Sequence, residues 1–321
     1  MVALLNTQND SAILRLHAPS TRLALLAGPT NWRPHEPVLI PNMRLLAISD
    51  IHVDREENRV AVDALPTFPD DWLILGGDVA DTIEGAEWAL NVLIRKFAKL
   101  IWVPGNHDLW CLPGESIPVL PESIPVSSES KYLYLVDLCR SLGVLTPEDP
   151  FPLWEGEGGP HVIAPLFLLY DYSFRPDHVS EDGAVAWARE SGIMCQDERL
   201  LSLDRHDSKP DWCRHRLDLS REKLARTPPG LPLILVNHFP LNKQSVRIPR
   251  IPRFSIWCGT RETETWHVDY PVHVVVYGHL HTPGTSLIDG VRFEEVSLGY
   301  PREWRAAGHR EARLRTILPD S

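Results

Sequence analysis

Five short motifs follow one another along this 321-residue chain, each within two residues of the end of a short apolar run. They are Asp50-Ile51-His52, Gly76-Gly77-Asp78, Gly105-Asn106-His107-Asp108, Asn237-His238 and Gly278-His279-Leu280-His281. The runs before them are Leu45-Leu46-Ala47-Ile48, Trp72-Leu73-Ile74-Leu75, Leu100-Ile101-Trp102-Val103, Leu233-Ile234-Leu235-Val236 and Val274-Val275-Val276-Tyr277. Each is short and apolar enough to be a buried strand. Open α/β sheets carry their sites just past the carboxyl ends of strands, so a fold obeying this pattern gathers the five motifs at one edge.

The connections point the same way. Residues 82–99 read as a helix, with Ala86, Leu90, Leu93 and Phe97 on one apolar face. Asp81 stands in the capping position, with Glu84 three residues later. Strand, helix, strand in this rhythm predicts parallel βαβ units. Residues 162–169 and 291–298 add two further strand-like segments. The expectation is one α/β catalytic domain over residues 43–300, with insertions at about 111–160, 173–230 and 239–271. Residues 1–42 form an N-terminal extension to which no chemistry is assigned, and 301–321 a C-terminal tail. The charged, Leu-studded segment 197–226 predicts helices outside the core.

The residue types at the strand ends define the chemistry. Asp50, Asp78, Asn106, His52, His238, His279 and His281 are an oxygen and imidazole set suited to two adjacent divalent ions, with His107 left over as an acid. Asp50 and His52 alternate across a strand end, as do His279 and His281, so each pair can face one side. Two glycines before Asp78 let the backbone come close to a metal cluster, and its carboxylate can bridge two ions. Asn106 can bind one ion, His107 can face a substrate, and Asp108 can hold that imidazole protonated and oriented. Any one motif alone is read as well by a polar turn; their joint order and placement is not.

In these blocks the chain resembles the calcineurin-like metallophosphoesterase superfamily. The resemblance implies a sandwich of two mixed β-sheets flanked by helices. It also implies one ion on Asp50, His52, Asp78 and His281, and a second on Asp78, Asn106, His238 and His279. A hydroxide bridging the ions would attack phosphorus, while His107, oriented by Asp108, would serve the leaving oxygen. Mn, Fe, Zn or Mg would fill such sites. Two divalent ions set against Asp50, Asp78 and one hydroxide leave a cluster near +1, which attracts phosphate even in an acidic protein. Asp81 stands where purple acid phosphatases carry Tyr, and Asp81-Thr82 replaces the Asp-Arg-Gly of Ser/Thr protein phosphatases. The pattern is closer to the bacterial small-substrate phosphatases and phosphodiesterases.

The expected substrate is therefore a small-molecule phosphomonoester or phosphodiester. A net charge of −11 without a basic stripe disfavours a nuclease and anionic membranes. The complete ligand set argues against a non-catalytic scaffold. No run is long enough to span a bilayer, and the first residues do not read as a signal peptide. Five scattered cysteines without CxxC spacing read as reduced thiols, which predicts a cytoplasmic protein. In the third insertion, Arg250 or Arg253 could clamp phosphate while Phe254 or Trp257 stacks on a ring. The alternative is a surface loop whose arginines pair with Glu262, Glu264 or Asp269. Asp171 and Tyr172 either line the pocket or form a capped turn. The oligomeric state is left open.

Overall fold

In the computed structural model, residues 42–121, 124–309 and 311–320 are described. The expected N-terminal extension lies almost wholly outside them. The strands are β1 (Leu45–Ile48), β2 (Phe68–Leu75), β3 (Phe97–Trp102), β4 (Leu153–Trp154), β5 (His161–Pro165), β6 (Leu233–Val236), β7 (Val272–Tyr277), β8 (Gly284–Ile288), β9 (Val291–Glu295) and β10 (Arg315–Leu318). They build a four-stranded sheet in the order β10-β1-β2-β3 and a six-stranded sheet in the order β4-β5-β6-β7-β9-β8. β1, β2 and β3 run parallel, as do β5, β6, β7 and β9; β10, β4 and β8 pair antiparallel at or near the edges. Both sheets are thus mixed, as the resemblance implied.

The apolar runs look continuous because each strand is buried on both faces. One face of β1, β2 and β3 supplies Leu45, Ala47, Ile74 and Ile101; β5, β6 and β7 answer with Ile163, Ile234, Val236, Val274 and Val276, closing an inter-sheet core. The alternate residues Leu46, Ile48, Leu73, Leu75, Leu100 and Trp102 join a second cluster with helix residues such as Val62, Leu90 and Leu93. The helices are α1 (Glu56–Asp63), α2 (Ile83–Leu93), α3 (Asn106–Leu109), α4 (Ser128–Ser141), α5 (Ala184–Arg189), α6 (Asp197–Leu200), α7 (Lys209–Leu224), α8 (Trp266–Asp269) and α9 (Pro301–Ala306). None is long and apolar enough to cross a membrane. All five cysteines are free thiols.

Several expected boundaries move. The helix expected over 82–99 ends at Leu93, and Phe97 opens β3, where it pairs with Phe68 and stacks on its ring. The helix cap is Thr82, whose side chain accepts from the Gly85 N–H at 3.0 Å, so Asp81 is released from that task. The strand expected over 162–169 stops at Pro165, and that over 291–298 stops at Glu295. Residues 301–321, expected as a tail, include α9 and the strand β10 that completes the first sheet.

Candidate metal centre

All five motifs lie just past strand ends, and their side chains converge. Asp50, His52 and His281 offer ligand atoms within 4.8 Å of one another, and so do Asp50, Asp78 and His238. The His281 Nε2 lies 3.1 Å from Asp50 Oδ1 and 3.3 Å from His52 Nε2. Around Asp78 Oδ2, His238 Nε2 stands at 3.5 Å and His52 Nε2 at 3.9 Å. The backbone is bent to achieve this. Asp50, His52, Asp78, His279 and His281 all hold φ between 37° and 71°. That left-handed region costs an ordinary residue on the order of 1–3 kcal/mol, and such strain concentrates at functional sites. Close approach needs glycine: a Cβ at Gly105 would strike the Asp78 carboxylate, and one at Gly278 would strike Ser49 and Asp50.

The hydrogen bonds fix which atom each side chain presents. The His238 Nδ1 donates to the Gly76 carbonyl at 2.8 Å, leaving the Nε2 lone pair free. The His281 Nδ1 donates to Glu303 at 2.7 Å, the arrangement by which carboxylates orient metal-bound imidazoles. Asp50 Oδ2 accepts from Ser49 and Ser297 hydroxyls and from the His279 N–H. Six buried side-chain atoms among the described residues lack any hydrogen-bond partner, and four of them belong to the predicted ligands: His52 Nδ1, Asn106 Oδ1, His238 Nε2 and His279 Nε2. An orphaned buried polar atom costs about 1–3 kcal/mol. So many at one place, beside two buried carboxylates, fit a site built for cations.

The charges fit too. Burial, with the neighbouring His107, holds His52 at about 3, and burial with His238 holds His279 at about 3, so both are neutral and able to ligate. Burial works against a charge on His238 as well, but Asp78 and Asp50 outweigh it and lift it to about 9. A divalent ion would displace that proton.

His107 stands where expected, but its partner does not. Its Nδ1 meets Asp81 Oδ1 at 2.6 Å. Asp108 instead accepts three backbone N–H groups, from Val79 and Ala80 at 2.9 and 3.2 Å and from Gly105 at 2.9 Å. Its role is to hold the second and third motif loops together. Burial opposes a proton on His107, yet Asp78 and the Asp81 hydrogen bond raise its pKa overall. Trp110 lies against the ring, with centroids 3.5 Å apart.

The site opens into a cleft of about 320 Å³, whose lining includes Trp110, Met194, Ile248, Ile251, Phe254 and Tyr300. Phe254 lines the cleft and is stacked on His279, with centroids 5.7 Å apart. Trp257 is buried instead, its Nε1 donating to Glu198 at 2.7 Å. Arg253 bonds the Trp187 carbonyl and Glu190, and Arg250 is exposed, so neither lines the cleft. Asp171 and Tyr172 form a turn, with Asp171 Oδ1 accepting the Ser173 N–H at 2.9 Å and the Tyr172 carbonyl the Arg175 N–H at 3.1 Å, while their side chains bond Thr260 and Glu198. Sequence reasoning missed Asp81, Asp197, Tyr300 and Glu303. Asp197, expected on an outer helix, is buried, and accepts from Asn106 Nδ2 and Trp110 Nε1. Tyr300 stacks on His52 with centroids 4.6 Å apart.

The chain is similar to known proteins over most of its length. The chain is 46% identical, over 278 residues, to the [acyl-carrier-protein] phosphodiesterase PptH of Mycobacterium tuberculosis, a match spanning 86% of this chain and 83% of that protein. It also matches the crystal structure of the phosphopantetheinyl hydrolase PptH from the same organism, with a TM-score of 0.79 and 44% identity over 87% of this chain and 96% of that one. The family described as Calcineurin-like phosphoesterase matches residues 43–283, from the residues just before β1 through the last of the five motifs. A match of that extent, through every strand end that carries a candidate ligand, makes this chain a metal-dependent phosphoesterase of the calcineurin-like family.

Proposed function

We propose that this chain is a phosphodiesterase that removes the phosphopantetheinyl group from an acyl carrier protein. The observation that carries this reading is the near-full-length likeness to the mycobacterial phosphodiesterase, whose names specify that substrate. It moves the expected substrate from a free small molecule to a group borne on a protein. Two divalent ions would be held by Asp50, His52, Asp78 and His281, and by Asp78, Asn106, His238 and His279, with Asp78 shared. The mixed imidazole and carboxylate set suits Mn, Fe or Zn. When bound, such ions neutralise phosphate charge and supply an activated water.

The chain's own residues do the rest. A phosphodiester between two aliphatic alcohols has a poor leaving oxygen, so a positioned proton donor matters. His107 Nε2 is that donor: Asp81 takes the Nδ1 hydrogen bond, favours the imidazolium and fixes the ring, and Trp110 covers its face. Met194, Ile248, Ile251 and Phe254 give the cleft an apolar lining that would meet the part of the substrate beyond the phosphate. The test is to incubate Mn-loaded protein with a phosphopantetheinylated carrier protein and weigh the carrier by intact-mass spectrometry. Loss of the prosthetic group is expected. An unchanged carrier beside brisk turnover of bis-nitrophenyl phosphate would overturn the carrier-protein reading in favour of a small diester.

A further inference from the structure

A carboxamide is a metal ligand only through its oxygen, and nothing in Asn106 itself decides which way the amide faces. The decision is made by Asp197, which sits at the start of α6 in the second insertion, outside all five motifs. Asn106 Nδ2 donates to Asp197 Oδ1 at 3.0 Å. A carboxylate only accepts, so the NH₂ must face it and Oδ1 must face away. That Oδ1 is one of the buried atoms without a partner. The same carboxylate takes Trp110 Nε1 at 2.7 Å and the Tyr170 hydroxyl at 3.1 Å. It is fully buried, and these three partners are all neutral donors.

We infer that Asp197 is a positioning residue that aims the Asn106 oxygen at the second ion and, through Trp110, sets the aromatic wall on His107. Burying a carboxylate among neutral donors is costly, and stability alone would favour an apolar residue there. The cost is understandable if the carboxylate is kept for the one thing an apolar side chain cannot do, which is to orient an amide. The inference rests on the two-ion reading above but not on the identity of the substrate.

The experiment counts Mn(II) per chain and records its EPR spectrum, with the melting temperature of the metal-free protein as a control for folding. Wild type should hold two Mn(II) with the spectrum of a coupled pair; if it holds only one, the two-ion reading itself fails. Asp197→Leu should keep an isolated Mn(II) and bind the second ion about 10–100-fold more weakly. Asp197→Asn keeps an oxygen for Asn106 and Trp110 and turns its own NH₂ to the Tyr170 oxygen, so it should keep the coupled pair. Trp110→Phe, which removes the indole donor and shrinks the ring but leaves Asp197 paired with Asn106, should keep it as well. Should Asp197→Leu fold poorly, combining it with Trp110→Phe and Tyr170→Phe removes the stranded donors along with the acceptor. That triple variant should also lose the second ion. A tightly held, coupled pair in either Leu variant would overturn the assignment, and so would loss of the pair in a well-folded Asp197→Asn.

Discussion

At the scale of single residues, the division of labour within Gly105-Asn106-His107-Asp108 is set by where each side chain finds its partner. His107 looks across to Asp81 and Asp108 looks back at the loop amides. Substituting His107→Gln should therefore leave metal content intact and lower kcat by roughly 10²–10⁴-fold, most with alkyl esters and least with nitrophenyl esters. Asp81→Asn should reproduce part of that loss with the same leaving-group dependence. Asp108→Asn should act on stability instead, because it weakens a three-amide clasp; kinetics across a leaving-group series, beside a urea melt, separates the two. The candidate ligands that converge at the strand ends were legible in the sequence because both their residue types and the apolar runs before them are local signals. The partners of those ligands were not. Asp81 and Asp108 are equally good acids one motif apart; the Thr82 cap frees Asp81, and the three loop amides occupy Asp108, which is why Asp81 meets His107. Asp197 and Glu303 lie far along the chain from the side chains they hold, and no spacing rule reaches that far.

At the scale of elements, the surprise is how much the segment after the family match contributes. α9 begins at Pro301, with the Tyr300 N–H donating to Glu303 at 2.8 Å, and the same Glu303 carboxylate oxygen receives the His281 Nδ1. A helix cap and the support of a candidate metal ligand are one side chain. Glu303→Ala should weaken binding of one ion by about 10–100-fold, read by titration with Mn(II) under competition from a chelator, while the other ion stays bound. Glu303→Gln should do less, since its amide oxygen can still accept. The strands were read well because burial on both faces writes unbroken apolar runs. The end of α2 was missed because Phe97 continues the helical spacing while packing in β3 against Phe68. Register with a neighbouring strand outweighed local periodicity.

At the scale of the molecule, the insertions are anchored by buried polar contacts as well as by apolar ones. Arg216 on α7 reaches Glu148 at 2.7 Å and the Phe167 carbonyl at 3.2 Å, and Tyr132 on α4 donates to the same carboxylate oxygen. Burial would raise the Glu148 pKa, but Arg216 and the Tyr132 hydrogen bond hold it below its ordinary 4.5. A carboxyl lowered on folding stabilises the protein above its unfolded-state pKa, and that contribution disappears as pH falls through the folded-state value. Unfolding free energy measured in urea should therefore drop on acidification below about pH 4.5. Glu148→Gln should lie lower near neutrality and fall less steeply. A different consequence follows from where the ligands originate. Asp50, His52, Asp78 and Asn106 come from strand ends of one sheet, and His238, His279 and His281 from the other. Backbone contact across that line includes the Ser49–Val296 hydrogen bond at 3.0 Å. Ions held there would work as rivets through a seam, resisting the sliding of one sheet over its neighbour. Chelation should loosen the seam and lower the melting temperature. For one ion at a hundredfold excess over its Kd the lost linkage energy is about 2.7 kcal/mol. An unchanged melt after complete metal removal would mean that the apolar core alone bears the shear.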